Sequence, residues 1–172
     1  MSDAIQLRSV AFHETCAIDI IEKLRREIDR IECADSGEAA RDHVVNAFWT
    51  AWHVHQWMWS AISDKPDLKL AVLRYRGLEG EAIEGHETFG DLLASRFVPL
   101  KICRFIATSS QYVEVSLTGE QGLVSLAPPT MVPDSVRPTP MIMVMARPIA
   151  ATRLLVEIDD YWVTMILDCG IG

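Results

Sequence analysis

The sequence predicts an α+β fold in a single domain, residues 1–172. An antiparallel helical layer spans about residues 4–110 and an antiparallel β-sheet about residues 112–167. Three observations predict it. Apolar residues recur at helical spacing through the first two thirds of the chain. The period changes to alternation from Tyr112 onward. Strands gathered after helices favour an antiparallel sheet laid against a helical layer. At 172 residues the chain is long enough to bury roughly two thirds of its unfolded surface in one core.

The first helix is read over residues 4–34. Val10, Ala17, Ile21, Leu24, Ile28 and Ile31 form an a/d-type seam, and the mixed charges of Glu22, Lys23, Arg25, Arg26, Glu27, Asp29 and Arg30 fill the other faces. The seam packs on the next helix; a two-chain coiled coil is the competing use for it. Asp35, followed three residues later by Glu38, reads as a capping box that opens the second helix. The short connection makes the two helices antiparallel neighbours.

The second helix, Asp42 to Ile62, is the stretch around which the chain is organised. It holds four of the five tryptophans and three of the five histidines, with no Asp, Glu, Lys or Arg after Asp42. An apolar stripe runs Val45, Phe48, Trp49, Trp52, Gln56, Trp59, and a mostly polar one runs His43, Asn46, Thr50, His53, Trp57. Apolar residues on more than one side predict a helix sealed inside the fold. Pro66 ends it. A short helix over Leu68–Leu73, a mobile loop around Gly77, Gly80 and Gly85, a third helix over Thr88–Phe97 and a fourth over Leu100–Thr108 after Pro99 complete the layer.

The β part is read as strands at residues 112–117, 123–126, 141–146, 153–158 and 161–167. Gly119-Glu120-Gln121-Gly122 turns the first pair, and Asp159-Asp160 turns the last. Residues 128–140 hold five prolines and form an irregular excursion.

A net charge of −8 argues against a general nucleic-acid or anionic-membrane binder, since both need a positive field. Cys16, Cys33, Cys103 and Cys169 make no CxxC pair and no disulfide framework. No run reaches the roughly 18 apolar residues of a membrane span. Ser2, Asp3 and Gln6 lead into an amphipathic helix and not into an apolar leader. The expectation is a cytoplasmic protein with no membrane, no cofactor and no metal.

His53-Val54-His55 does not make a metal site, because helical residues two apart point about 200° from each other. Asn46, Thr50 and His53 are neighbours at spacings of four and three, with Trp57 one turn on. They read as a buried polar network that fixes helix packing, or as a ligand pocket carrying an acid–base histidine. Arg96, Lys101 and Arg104 lie in an acid-free run, and Arg104 with the nearby Ser110 suits an anion; solvated rim arginines are the plainer account. A second acid-free run carries Arg137, Arg147 and Arg153. No GxSxG, GxGxxG or Walker spacing occurs, and no catalytic residue is assigned.

The chain resembles a bacterial protein group of prophage or defence type. In that group a helix with the pattern N-A-x-x-T-A-x-H precedes a segment of the form C-P-x-L-x-x-x-R-D-I-A-N-G-S-K-H. Asn46, Ala47, Thr50, Ala51 and His53 fit the first pattern; Pro99, Leu100, Arg104, Ile106, Ala107 and Ser110 fit the second. Such proteins are similar to HEPN-type domains, which implies RNA cleavage or toxin-like roles, usually in dimers. Here Phe105 stands in place of the aspartate, Thr108 and Ser109 replace Asn-Gly, Gln111 the lysine and Tyr112 the histidine. A tyrosine, with a pKa of about 10, does not replace a histidine in proton transfer at neutral pH.

The sequence therefore points first to a non-enzymatic interaction or ligand-binding module that self-associates as a dimer. The alternative is a degenerate HEPN-like RNA binder using Arg96, Lys101 and Arg104. A small-molecule enzyme built on His53 stands third.

Overall fold

A computed structural model describes residues 16–108, 124–126, 140–144 and 147–171. Helix α1 (Ala17–Glu32) starts where the Cys16 backbone N–H donates to the Asp19 carboxylate at 3.0 Å, and buries Ile20, Ile21, Leu24, Ile28 and Ile31. Its seam packs on α2 (Gly37–Ile62), so the first two helices form the expected antiparallel pair. The cap of α2 lies one residue later than the spacing predicts. Ser36, not Asp35, accepts from the Ala39 N–H, at 3.1 Å, and satisfies one of the unpaired donors of the first turn.

Pro66 ends α2 and also opens the next helix, α3 (Pro66–Tyr75), because its missing N–H is harmless in a first turn. The glycine loop that follows is anchored. Gly77 takes a left-handed φ of 65° and lets the Leu78 N–H reach the Leu73 carbonyl at 2.7 Å, and Leu78 is fully buried. Helices α4 (His86–Arg96) and α5 (Val98–Thr108) then cover one flank of α2.

The sheet is small: β1 (Val124–Leu126), β2 (Met141–Val144) and β3 (Arg147–Ala150), antiparallel in that order. Val124 pairs with Val144, and Ile142 with Ile149. The strand expected over 141–146 therefore ends at Val144, and the chain returns as a third strand. Ile142 and Val144 are buried.

The largest correction follows β3. Residues 153–158 and 161–167 are not two strands but parts of one helix, α6 (Ala151–Cys169). Leu154, Leu155, Ile158, Trp162, Met165 and Ile166 all reach the core at helical spacing, so one continuous helix buries more of them than a hairpin with one solvated face. Asp159-Asp160 is no turn: the buried Asp159 carboxylate takes Nε and Nη2 of Arg25 at 2.9–3.2 Å, tying α6 to α1. The chain is thus mostly helical with a small antiparallel sheet, and its last element is a helix.

Among the described residues, helix α2 touches all five other helices. The fully buried Trp162 of α6 donates its indole N–H to the Ala51 carbonyl at 3.1 Å. Among the described residues no helix is long and apolar enough to cross a membrane. The segments read as helix over 4–15, as strand over 112–117, as the turn after it and as the excursion over 128–139 lie outside the described residues.

Candidate interaction surface

At about 100° per residue, the side chains of α2 fall into four sectors. Ala47, Ala51, Val54 and Met58 point to the centre of the fold and are fully buried. On the α1 side, His43 meets the buried Glu27 carboxylate at 3.1 Å. On the opposite flank, Phe48, Trp52, His55 and Trp59 meet α4 and α5: the Cys103 thiol donates to the Phe48 carbonyl at 3.2 Å, and Trp59 packs on Phe89 at 5.5 Å between ring centroids. The fourth sector, with Val45, Asn46, Trp49, His53, Gln56 and Ser60, looks outward.

The outward sector corrects the expectation of a sealed helix. Trp49 is 53% exposed and Val45 41%, although both belong to the predicted apolar stripe. The predicted polar stripe divides in the same way. Asn46 is exposed, Thr50 is buried, and His53 is half-buried with its Nδ1–H donating to the Trp49 carbonyl at 2.7 Å. Its ring lies over Trp49 at 4.0 Å. Asn46, Thr50 and His53 therefore form no enclosed network: Thr50 alone lies in the core, and the His53 Nδ1–H is taken by the Trp49 carbonyl.

The sealed imidazole is His55, which sequence reasoning passed over. It is 2% exposed. Its Nδ1 lies 2.6 Å from the Trp52 carbonyl, an acceptor only, so Nδ1 carries the proton. The ring lies against Gly90 of α4, with Trp52 at 4.3 Å and His86 at 5.9 Å. Burial pulls its pKa down to about 4, and the nearby His53, His86 and Arg104 push the same way. A neutral imidazole wedged between helices is a packing element. The available sequence signal was Gly90 itself, since a glycine inside a helical pattern marks a close approach.

Among the described residues Arg96, Lys101 and Arg104 do not gather into a positive groove. Arg96 is paired with Glu81 at 3.0 Å and Arg104 with Asp91 at 2.8 Å, both acids from outside the acid-free run. Arg104 also stands 5.9 Å from the Trp52 ring, and its backbone carbonyl takes the Thr108 hydroxyl at 2.8 Å. Lys101 is half-buried on α5, and Ser110 lies outside the described residues. Among the described residues no three His, Cys, Asp or Glu side chains converge to hold a metal ion.

What remains open is the outward face of α2. The solvent sides of α1 and α6 carry Glu22, Arg26, Asp29 and Arg153, Glu157, Asp160 respectively. From Val45 to Ser60 the outward face of α2 carries no formal charge and one largely bare indole. At its end, Ser60, Trp57 and Ala61 join Cys16, Ala17 and Ile18 of α1 and Ile171 to line a half-open groove of about 210 Å³. Gly170, at φ 67°, ends α6 and turns Ile171 into the groove wall; the Ile171 N–H closes on the Ile166 carbonyl at 2.9 Å. Of the described sequence-predicted candidates, only Trp57 reaches this groove. No protein-family model, curated protein or solved structure matches the chain.

Proposed function

We propose that the protein is a non-enzymatic interaction module that pairs with a second copy of itself through the outward face of α2. The observation that carries this reading is the exposure of Trp49 in the middle of a face without formal charge. A solvated helix face normally carries charge, as α1 and α6 do here. Interface centres are depleted in charge and enriched in tryptophan, which supplies large contact area at small entropic cost. Each copy carries −8, so two copies approach with least repulsion where neither presents charge.

An RNA-binding role related to HEPN-type domains has less support. The guanidinium groups of Arg96 and Arg104 spend their charge on Glu81 and Asp91, and among the described residues Lys101 is left as the cation of that patch without such a pairing. The same pairing weakens an anionic-ligand site there.

Sedimentation equilibrium over a concentration series tests the proposal. The expected result is a monomer–dimer equilibrium that Trp49→Ala shifts at least tenfold toward monomer, while circular dichroism shows the same helix content. A chain that stays monomeric at the highest soluble concentration, or a Trp49→Ala variant that dimerises as tightly as the parent, overturns it.

A further inference from the structure

The groove beside Ser60 is continuous with the outward face of α2, and we propose that it receives the Trp49 indole of a second copy, so that two chains pair by mutual insertion about a two-fold axis. The inference rests on the self-pairing read above and adds to it the seat of each tryptophan.

The placement of the two features allows it. Trp49 and Ser60 lie eleven residues apart on one sector of α2, about 16 Å along the helix. Halfway between them stand His53 and Gln56, both half-buried on the same sector. If two copies of α2 run antiparallel about a two-fold axis through that midpoint, residue 49 of each chain faces the groove of the other. A two-fold contact must be self-complementary, and a projecting ring and a recess equally spaced about the axis meet that requirement.

Size and chemistry agree. A cavity of about 150 Å³ takes a benzene ring, so one of about 210 Å³ is of the right order for a bicyclic indole. Ala17, Ile18, Trp57, Ala61 and Ile171 give the groove apolar walls, and none of the described residues that line it is charged. Ser60 supplies a hydroxyl in the lining, and a buried indole N–H needs an acceptor of that kind. Ile18 is itself 43% exposed beside the groove, so a seated ring would cover apolar surface on both partners.

Two variants test the pairing. Trp49→Ala removes the projecting ring and keeps the groove; Ala61→Phe fills the groove and keeps the ring. Each alone is expected to weaken dimerisation at least tenfold in sedimentation equilibrium. An equimolar mixture is expected to form a heterodimer more tightly than either variant pairs with itself, because one intact ring then meets one intact groove. Ser60→Trp, at an exposed position, blocks the groove from its rim if Ala61→Phe fails to fold. Labelling of the Cys16 thiol, read by mass spectrometry, is expected to slow as the protein dimerises.

If the groove-filling variants dimerise like the parent, the seating of Trp49 in the groove is wrong while the pairing face stands. If the mixture of two folded, monomeric variants does not associate, or Cys16 labels equally fast in monomer and dimer, the insertion is likewise overturned. A Trp49→Ala variant that pairs as tightly as the parent removes both this inference and the proposed function.

Discussion

A Cβ at position 90 would lie 2.7 Å from Cδ2 of His55 and 3.0 Å from its Cγ and Nε2, so Gly90 of α4 and the imidazole of α2 are in direct contact. The ring is rigid, buried, and held by the Trp52 carbonyl, so it has little room to yield. Gly90→Ala is therefore expected to destabilise the fold by about 2 kcal/mol from overpacking, although alanine is the better helix former. In a His55→Ala background the clash is gone, and the same substitution is expected to stabilise by up to about 1 kcal/mol. Urea unfolding of the four proteins measures the coupling; a Gly90→Ala effect of the same sign in both backgrounds would show that the contact is unimportant.

His55 also makes stability depend on pH in a definite direction. Its folded pKa, about 4, lies below the ordinary 6.5, so between those values the unfolded chain holds a proton that the folded one refuses. The neutral ring's contribution is intact above about pH 6.5 and is lost as pH falls toward 4, to the extent of about 3 kcal/mol. The nearby His53, His86 and Arg104 all disfavour a second positive charge on the ring and offer its proton no compensation. Unfolding free energies at pH 7, 5.5 and 4.5 are expected to fall more steeply in the parent than in His55→Leu. Parallel slopes would remove His55 from the acid response.

Several of these relationships lie beyond what one sequence displays. The helices through Thr108 are legible because their apolar residues follow the helical period and Pro66 separates α2 from α3, although the cap of α2 falls at Ser36 rather than Asp35 and Gly77 ends α3 rather than opening a mobile loop. Helix α6 is not legible, since Leu154 to Ile158 and Tyr161 to Leu167 are short, largely apolar runs that also suit strands, and the Asp159-Asp160 pair between them imitates a turn. What fixes Asp159 inside a helix is Arg25, 134 residues away, which no local pattern reveals. On α2, helical spacing alone identified the sectors, but which of them faces water depends on where α1, α4, α5 and α6 pack. For that reason the spacing favours Asn46 and His53 over His55 and places Trp49 in the core.

The Arg25–Asp159 pair yields a third expectation. Asp159 is buried and accepts from two of the three guanidinium nitrogens, Nε and Nη2, whereas Arg25 is half exposed and loses little on folding. Arg25→Ala leaves a buried carboxylate without its donors and is expected to cost about 2 kcal/mol. Removing the charge as well, in Arg25→Ala/Asp159→Leu, is expected to recover much of that loss. Thermal unfolding compares the two; a double variant no more stable than Arg25→Ala would mean that the loss comes from the packing of the arginine stem.

Salt separates the two functional readings through the sign of its effect. Self-pairing across the uncharged face between Val45 and Ser60 brings together two chains of charge −8, so the remaining long-range interaction is repulsive. Raising ionic strength shortens the Debye length from about 30 Å at 0.01 M to about 8 Å at 0.15 M and screens that repulsion. Dimerisation is therefore expected to hold or to tighten a few-fold as salt is added. Binding of RNA through Lys101 and the arginines would release counterions and weaken steeply over the same range. Sedimentation of the protein alone and with a single-stranded RNA, at both salt concentrations, measures the two trends. A dimer that dissociates on adding salt would place charged groups at the interface and exclude the α2 face as its centre.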